Sequence, residues 1–236
     1  MADPWAGAKA AAARHAVAAT VRPGLTLALG TGSTAAQAVR AIAERFPGER
    51  FDCVSSSLAT EELARSLGLG VRELRPEDRF DLMLDGADEV SPALDLTKGG
   101  GGALFREKFL ARLAKELVIL VDPSKLVGAL GERAPIPVEV VPFARPVLVR
   151  ELRAQQYEIR LRLSPAGQPF LTDNGNQLLD LVPPKPLADP RATDRSLRAL
   201  PGVVETGLFP GLASRVVIGQ NDGRIEERRA SGTPRA

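Results

Sequence analysis

The chain has 236 residues, 44% of them hydrophobic and 25% charged, the mix of an ordinary globular protein. Disordered and fibrous classes are excluded, and a core can form at this length without disulfide or metal staples. With 31 basic and 29 acidic residues the net charge is +2, and aromatics make up 4%, which argues against a nucleic-acid partner and against a base-stacking surface.

In chain order, Ala6 to Thr20 reads as an alanine-rich helix stopped by Pro23-Gly24. Leu25 to Leu29 is a short apolar strand, Thr34 to Arg45 a helix, and Cys53-Val54 the end of a second strand. Thr60 to Leu67 is a helix capped by Gly68, and Phe80 to Leu84 a third strand running into Asp85-Gly86-Ala87-Asp88. Ala103 to Ala114 is helical, and Leu117 to Val121 is a strand of nearly continuous hydrophobics. Strands that are apolar throughout and alternate with helices predict a parallel sheet covered on both faces. After Gly131 the texture changes. Pro137 to Val141, Arg145 to Ala154, Tyr157 to Leu163, Gln177 to Val182, Asp189 to Leu200 and Gly202 to Glu205 give the order β-α-β-β-α-β. Val216 to Ile218 is a last apolar strand that returns to the first sheet.

The expected fold class is therefore α/β. A Rossmann-like, mostly parallel sheet domain occupies 1–130 plus 206–222, a smaller ferredoxin-like α+β domain occupies 131–205, and 223–236 is a flexible tail. No apolar run approaches the roughly 18 residues of a membrane helix, so no membrane partner is expected. The chain's start lacks a basic-then-apolar leader pattern, which predicts a cytoplasmic protein. Cys53 is the one cysteine and reads as a small buried hydrophobe. His15 is the one histidine, so multi-histidine metal sites and triads built on other histidines are excluded by counting. Acid–base work falls to carboxylates, lysines, hydroxyls and backbone dipoles.

Four segments could supply it. Gly30-Thr31-Gly32-Ser33-Thr34-Ala35 lies between a strand and a helix, where bare N–H groups and the helix dipole favour an anion. It reads as a phosphate cradle, and also matches the G-x-G-x-x-A dinucleotide fingerprint or a tight structural turn. Asp52 has the spacing of the fingerprint's acid but precedes the second strand, whose end carries Ser55-Ser56-Ser57, suited to phosphate or sugar hydroxyls. Asp85 and Asp88 flank Gly86 and Ala87 past a strand's carboxyl end, where both carboxylates could face one pocket; a surface turn is the alternative. Lys98 precedes Gly99, Gly100, Gly101 and Gly102, a run that makes sense where backbone amides converge on a developing oxyanion. Glu107, just inside the following helix, could face the same pocket. Lys125, after Leu117 to Val121, is the fourth. All follow parallel strands and should open on one sheet edge. The set suits proton transfer beside the carbonyl of a phosphorylated small molecule, with aldose–ketose isomerisation one choice among several.

These motifs resemble, in order, those of type A ribose-5-phosphate isomerases: Gly30 to Ala35, Asp85 to Glu89, Lys98 to Gly101, Arg106-Glu107-Lys108, Pro137 to Pro142, Thr172 to Asn176 and Pro201 to Val204. The resemblance runs from about residue 9 to 219. It implies interconversion of D-ribose 5-phosphate and D-ribulose 5-phosphate through an enediolate in the non-oxidative pentose phosphate pathway, with no metal and no organic cofactor. It further implies Glu107 as the base, Lys98 with the Gly99 to Gly101 amides at the enediolate oxygen, and Asp85 assisting ring opening. Asp88 would touch sugar hydroxyls, and Thr31, Gly32, Ser33, Thr34, Gly86, Ala87 and Lys125 would bind substrate. A homodimer or homotetramer is implied as well. The family's early phosphate-reaching lysines, counted back from Gly30, fall at Ala10 to Ala12, with Lys9 outside that register. A sugar-phosphate sensor and an acyl-transfer enzyme of similar architecture are the competing classes.

Overall fold

The computed structural model describes residues 3–230. Along the chain run α1 (Ala6–Thr20), β1 (Thr26–Leu29), α2 (Ser33–Arg45), β2 (Asp52–Ser55), α3 (Leu58–Ser66), β3 (Phe80–Gly86), β4 (Glu89–Val90), β5 (Leu96–Thr97), α4 (Leu104–Leu113) and β6 (Ala114–Val121). There follow β7 (Ile136–Val140), α5 (Arg145–Ala154), β8 (Glu158–Leu161), β9 (Gln177–Val182), α6 (Pro190–Arg198), β10 (Val203–Thr206), β11 (Leu208–Phe209), β12 (Arg215–Gly219) and β13 (Ile225–Arg229).

Six strands form the main sheet in the order β13-β12-β6-β3-β1-β2, parallel except for β13. Alternate residues feed two cores. Leu27, Leu29, Leu82, Leu84, Val118 and Leu120 pack under α1 and α2. Ala28, Met83, Leu117, Ile119 and Val121 pack against α4 and the small sheet β11-β5-β4. Burial on both faces is why these strands read as continuous apolar runs. The alanines of α1 let it lie close on the sheet: a Cβ at Gly219 would sit 2.1 Å from the Ala8 carbonyl. That contact brings the start of α1 to the carboxyl edge of the sheet.

The four strands β10-β7-β9-β8 form an antiparallel sheet whose apolar face meets Leu148 and Leu152 of α5 and Leu197 of α6. This is the ferredoxin-like pattern.

Three features depart from the sequence reading. β3 continues through Asp85 and Gly86, so Asp85 is a strand residue rather than part of a turn. The charged segment 225–229 is not a loose tail: it pairs antiparallel with β12, Ile225 packs on the main core, and Glu227 takes His15 Nε2 at 2.7 Å. The rest of that expectation, 231–236, lies outside the described residues. The sheet of β4, β5 and β11 is too short to leave a periodicity, yet it positions Lys98, whose N–H donates to the Gly207 carbonyl at 2.8 Å.

Candidate active site

In the main sheet the strand order reverses between β1 and β3, the place where open α/β sheets bind ligands. Gly30 stands at that point because nothing larger fits: a Cβ there would lie 2.1 Å from the Asp85 carboxyl carbon. Around it, one cavity of about 260 Å³ is lined by Thr31, Gly32, Ser33, Thr34, Gly86, Ala87, Asp88, Lys98, Gly99, Gly100, Gly101, Glu107 and Lys125, with Lys9 added.

At the inner end three charged groups meet. Lys98 Nζ lies 2.9 Å from Asp85 Oδ2 and 3.5 Å from Glu107 Oε2, and donates to the Gly86 carbonyl at 2.7 Å. Lys98 and Glu107 are 2% exposed and Asp85 is fully buried. Asp85 Oδ1 also accepts from the Gly86 and Thr31 amides, at 2.7 and 3.2 Å. Glu107 Oε2 accepts no hydrogen bond; the Lys98 ammonium faces it at 3.5 Å, while the Asp85 and Asp88 carboxylates oppose its ionisation. Burial pushes the Glu107 carboxyl up to about 8, against the pull of Lys98. Burial likewise raises Asp85. For Lys98 burial opposes the ammonium, but Asp85 and Glu107 outweigh it, so the pKa is raised and the group stays charged.

The glycine loop forms the next wall. Gly99 and Gly102 adopt φ of 98° and 85°, where a side chain would be strained, and Gly102 N–H closes the turn onto the Gly99 carbonyl at 2.9 Å. Asp88 Oδ2 accepts from the Gly100 amide at 2.8 Å. Among the described residues, no hydrogen bond occupies the amides of Gly99 and Gly101. At the outer end the α2 N-terminus begins at Ser33, whose Oγ lies 3.1 Å from Lys9 Nζ. Lys125 reaches in from the turn after β6, held by Asp122 capping Ser124. Lys9 also pairs with Asp3 at 2.7 Å, which holds the Asp3 carboxyl below its usual range.

Several expectations need correction. Asp85 is not on the cavity wall; it lies beneath Gly30 and acts on the cavity through the residues it holds, Lys98 and the amides of Thr31 and Gly86. Ser55, Ser56 and Ser57 do not bind there either. Ser57 caps α3, Ser55 donates to the Ser57 carbonyl, and Ser56 shares a hydrogen bond with Thr31. Of the three amides expected at the oxyanion, that of Gly100 is already engaged by Asp88. Conversely Lys9 does enter the cavity, because the path of α1 is set by close packing that counting along the chain cannot register. Among the described residues, no group of three or more His, Cys, Asp and Glu could hold a metal, and no helix is long and apolar enough to cross a membrane.

The sequence model of the family described as ribose 5-phosphate isomerase A (phosphoriboisomerase A) matches residues 52–223. The ribose-5-phosphate isomerase A of Thermomicrobium roseum is 49% identical over 224 residues, spanning 94% of each chain. A solved ribose 5-phosphate isomerase A from Methanocaldococcus jannaschii superposes with a TM-score of 0.87 at 36% identity, covering 94% of this chain and 97% of that one. A D-ribose-5-phosphate isomerase solved in complex with phospho-erythronic acid gives 0.88 at 34% identity, with the same coverage.

Proposed function

The chain belongs to the ribose 5-phosphate isomerase A family, and from that premise we propose how its cavity interconverts D-ribose 5-phosphate and D-ribulose 5-phosphate, in the cytoplasm and within the non-oxidative pentose phosphate pathway. Lys9, Lys125, Ser33 and the α2 N-terminus take the phosphate, which fits a helix N-terminus flanked by two ammonium groups. Asp88 accepts from sugar hydroxyls. The reacting carbons then lie at the inner end. The Glu107 carboxylate removes the C-2 proton, the C1–C2 double bond forms, and the carbonyl oxygen becomes the enediolate oxygen. Lys98 and the free amides of the glycine loop hold that charge. Glu107 returns its proton to C-1 while the O-2 proton passes to O-1, giving the ketone at C-2. Asp85 keeps Lys98 charged and aimed; as the furanose opens, the C-1 to ring-oxygen bond breaks, the proton that leaves O-1 ends on the ring oxygen, and Lys98 hydrogen-bonds that oxygen while remaining protonated. Each step needs only side chains and backbone.

The observation that carries this reading is the Glu107 oxygen that accepts no hydrogen bond and faces Lys98 on the wall of a cavity whose far end is cationic. A purely sensing module has no use for a buried base whose pKa burial raises toward neutrality. A solved relative was obtained in complex with phospho-erythronic acid; an acid of that kind carries a phosphate and a carboxylate, and this cavity offers Lys9 and Lys125 for the one and Lys98 for the other. The catalytic unit is 1–130 with 206–222, extended by β13, and the 131–205 unit packs on it through contacts such as Arg106–Asp173, Lys108–Asp194 and Arg162–Gly99. A homodimer or homotetramer is supported by Phe143, 95% exposed beside the exposed Val141 and Val147. Light scattering of the purified protein tests the assembly. The activity is tested by a coupled assay with ribose 5-phosphate, with and without chelator. Equal turnover in both supports the reading. Tight binding without turnover supports a sensor, and loss of activity in chelator contradicts the metal-free route.

A further inference from the structure

We propose that Arg162, in the smaller domain, is a positioning residue that fixes the glycine loop so that its amides face the enediolate oxygen. The inference rests on the reading of the glycine loop given above. Arg162 Nη1 donates to two consecutive carbonyls of that loop, Gly99 at 2.7 Å and Gly100 at 3.1 Å. The other edge of the guanidinium is clamped by Asp180: Nε donates to Oδ2 at 2.9 Å, and Nη2 to Oδ1. The planar fork therefore spans a carboxylate on one side and the loop on the other, a geometry that a lysine cannot copy.

The backbone of Arg162 is itself fixed. Its N–H donates to the Leu178 carbonyl at 2.9 Å, and its carbonyl accepts from Phe170 N–H at 2.9 Å. Phe170 in turn occupies the space beside Gly102, where a Cβ would sit 2.6 Å from the ring. The smaller domain thus grips both ends of the loop, Arg162 on the Gly99 and Gly100 carbonyls and Phe170 on Gly102. A peptide unit is planar, so fixing the Gly99 and Gly100 carbonyls also fixes the N–H groups on the opposite side: that of Gly100, which donates to Asp88, and that of Gly101, which is free for the oxyanion. A guanidinium N–H on a carbonyl polarises its peptide and strengthens the N–H as a donor. In a loop of four glycines, which has few intrinsic preferences, this external clamp supplies the preorganisation that an oxyanion site needs.

The test compares Arg162→Ala, Arg162→Lys and Asp180→Asn with the wild type. Three quantities are read: kcat and KM for ribose 5-phosphate, the inhibition constant of phospho-erythronic acid, and recovery by added guanidinium. Arg162→Ala is expected to lower kcat roughly 10- to 100-fold, less than deleting an oxyanion donor outright, with KM changed by less than about threefold. The inhibition constant should rise in step with the loss of kcat, since the acid mimics the charged intermediate. Millimolar guanidinium should restore part of the activity of Arg162→Ala, and Arg162→Lys should remain impaired. Asp180→Asn keeps the guanidinium but loosens it, and should show the same pattern more weakly; it carries the test if Arg162→Ala does not fold. Wild-type kcat in Arg162→Ala overturns the proposal. So does a loss confined to KM, or a loss of kcat with no change in inhibitor affinity and no recovery in guanidinium. An inactive wild type would instead count against the proposed function.

Discussion

Lys98 Nζ stands 3.5 Å from Glu107 Oε2, an oxygen that accepts no hydrogen bond, in a position where both groups are almost fully buried. A buried carboxylate in this state is poor for stability and well placed for proton transfer. Burial holds its proton to higher pH, while the neighbouring ammonium keeps the ionised form accessible.

The first expectation concerns pH. Glu107 must be ionised to act as a base, and burial pushes its pKa up to about 8. kcat/KM should therefore climb with pH toward that value rather than level off just above an ordinary glutamate. The substrate phosphate titrates near 6 and adds a separate limb, so the profile is best read above about pH 7. A flat profile between about pH 7 and 9 contradicts the assignment.

The same group makes a stability prediction. The folded state keeps the Glu107 proton up to about 8, whereas the unfolded chain releases it near the ordinary glutamate value of 4.5. Unfolding thus releases a proton between those values, and the native state loses stability as pH rises through the window. Glu107→Gln carries no such charge. Its melting temperature relative to wild type should rise between pH 5 and pH 9. A difference that stays constant, or falls, across that range rules the cause out.

Lys9 and Asp3 should act with opposite signs. Lys9→Met removes an ammonium from the phosphate end, and kcat/KM for ribose 5-phosphate should fall roughly 10-fold or more, the worth of a charge-assisted hydrogen bond. Asp3→Asn frees Lys9 from a competing carboxylate, so KM should drop. Steady-state kinetics on both variants decide this. A rise in KM for Asp3→Asn would mean that Asp3 orients the lysine instead of competing for it.

Lys108 sits beside Glu107 in the sequence but turns the other way. Its buried Nζ contacts Glu205 at 2.8 Å, Asp194 at 3.0 Å and the Thr206 hydroxyl at 3.2 Å, tying α4 to the smaller domain. Lys108→Met would strand two buried carboxylates and cost about 3–5 kcal/mol, toward the lower end because Arg198 also reaches both. A drop in melting temperature on the order of 10 °C is expected for a chain of this size. A drop under about 2 °C would show the network to be slack.

Much of this was legible in the sequence because it is local. The apolar strands β1, β3 and β6, the helix α5 and the glycine-rich turns leave their signatures within a few residues. The site was legible wherever a motif follows a strand, since parallel strands deliver their loops to one edge. What escaped is non-local. Nothing near Lys9 says that α1 packs close enough to reach Ser33. Nothing near Asp85 says that the bare Cα of Gly30 covers it. Glu89 shares the Asp85 to Glu89 motif yet turns away from the cavity to accept from the amides of Gly131, Arg133 and Ala134. The β13 strand looks like a charged tail because its only core residue is Ile225.

The most direct measurement is hydrogen exchange at carbon. Ribose 5-phosphate is incubated with enzyme in D₂O and followed by NMR. The wild type should place deuterium at C-1 of the ketose and C-2 of the aldose, and Glu107→Gln, with its fold intact, should place none on the same timescale. Deuterium entering at the wild-type rate in that variant would remove Glu107 from the chemistry and the account with it.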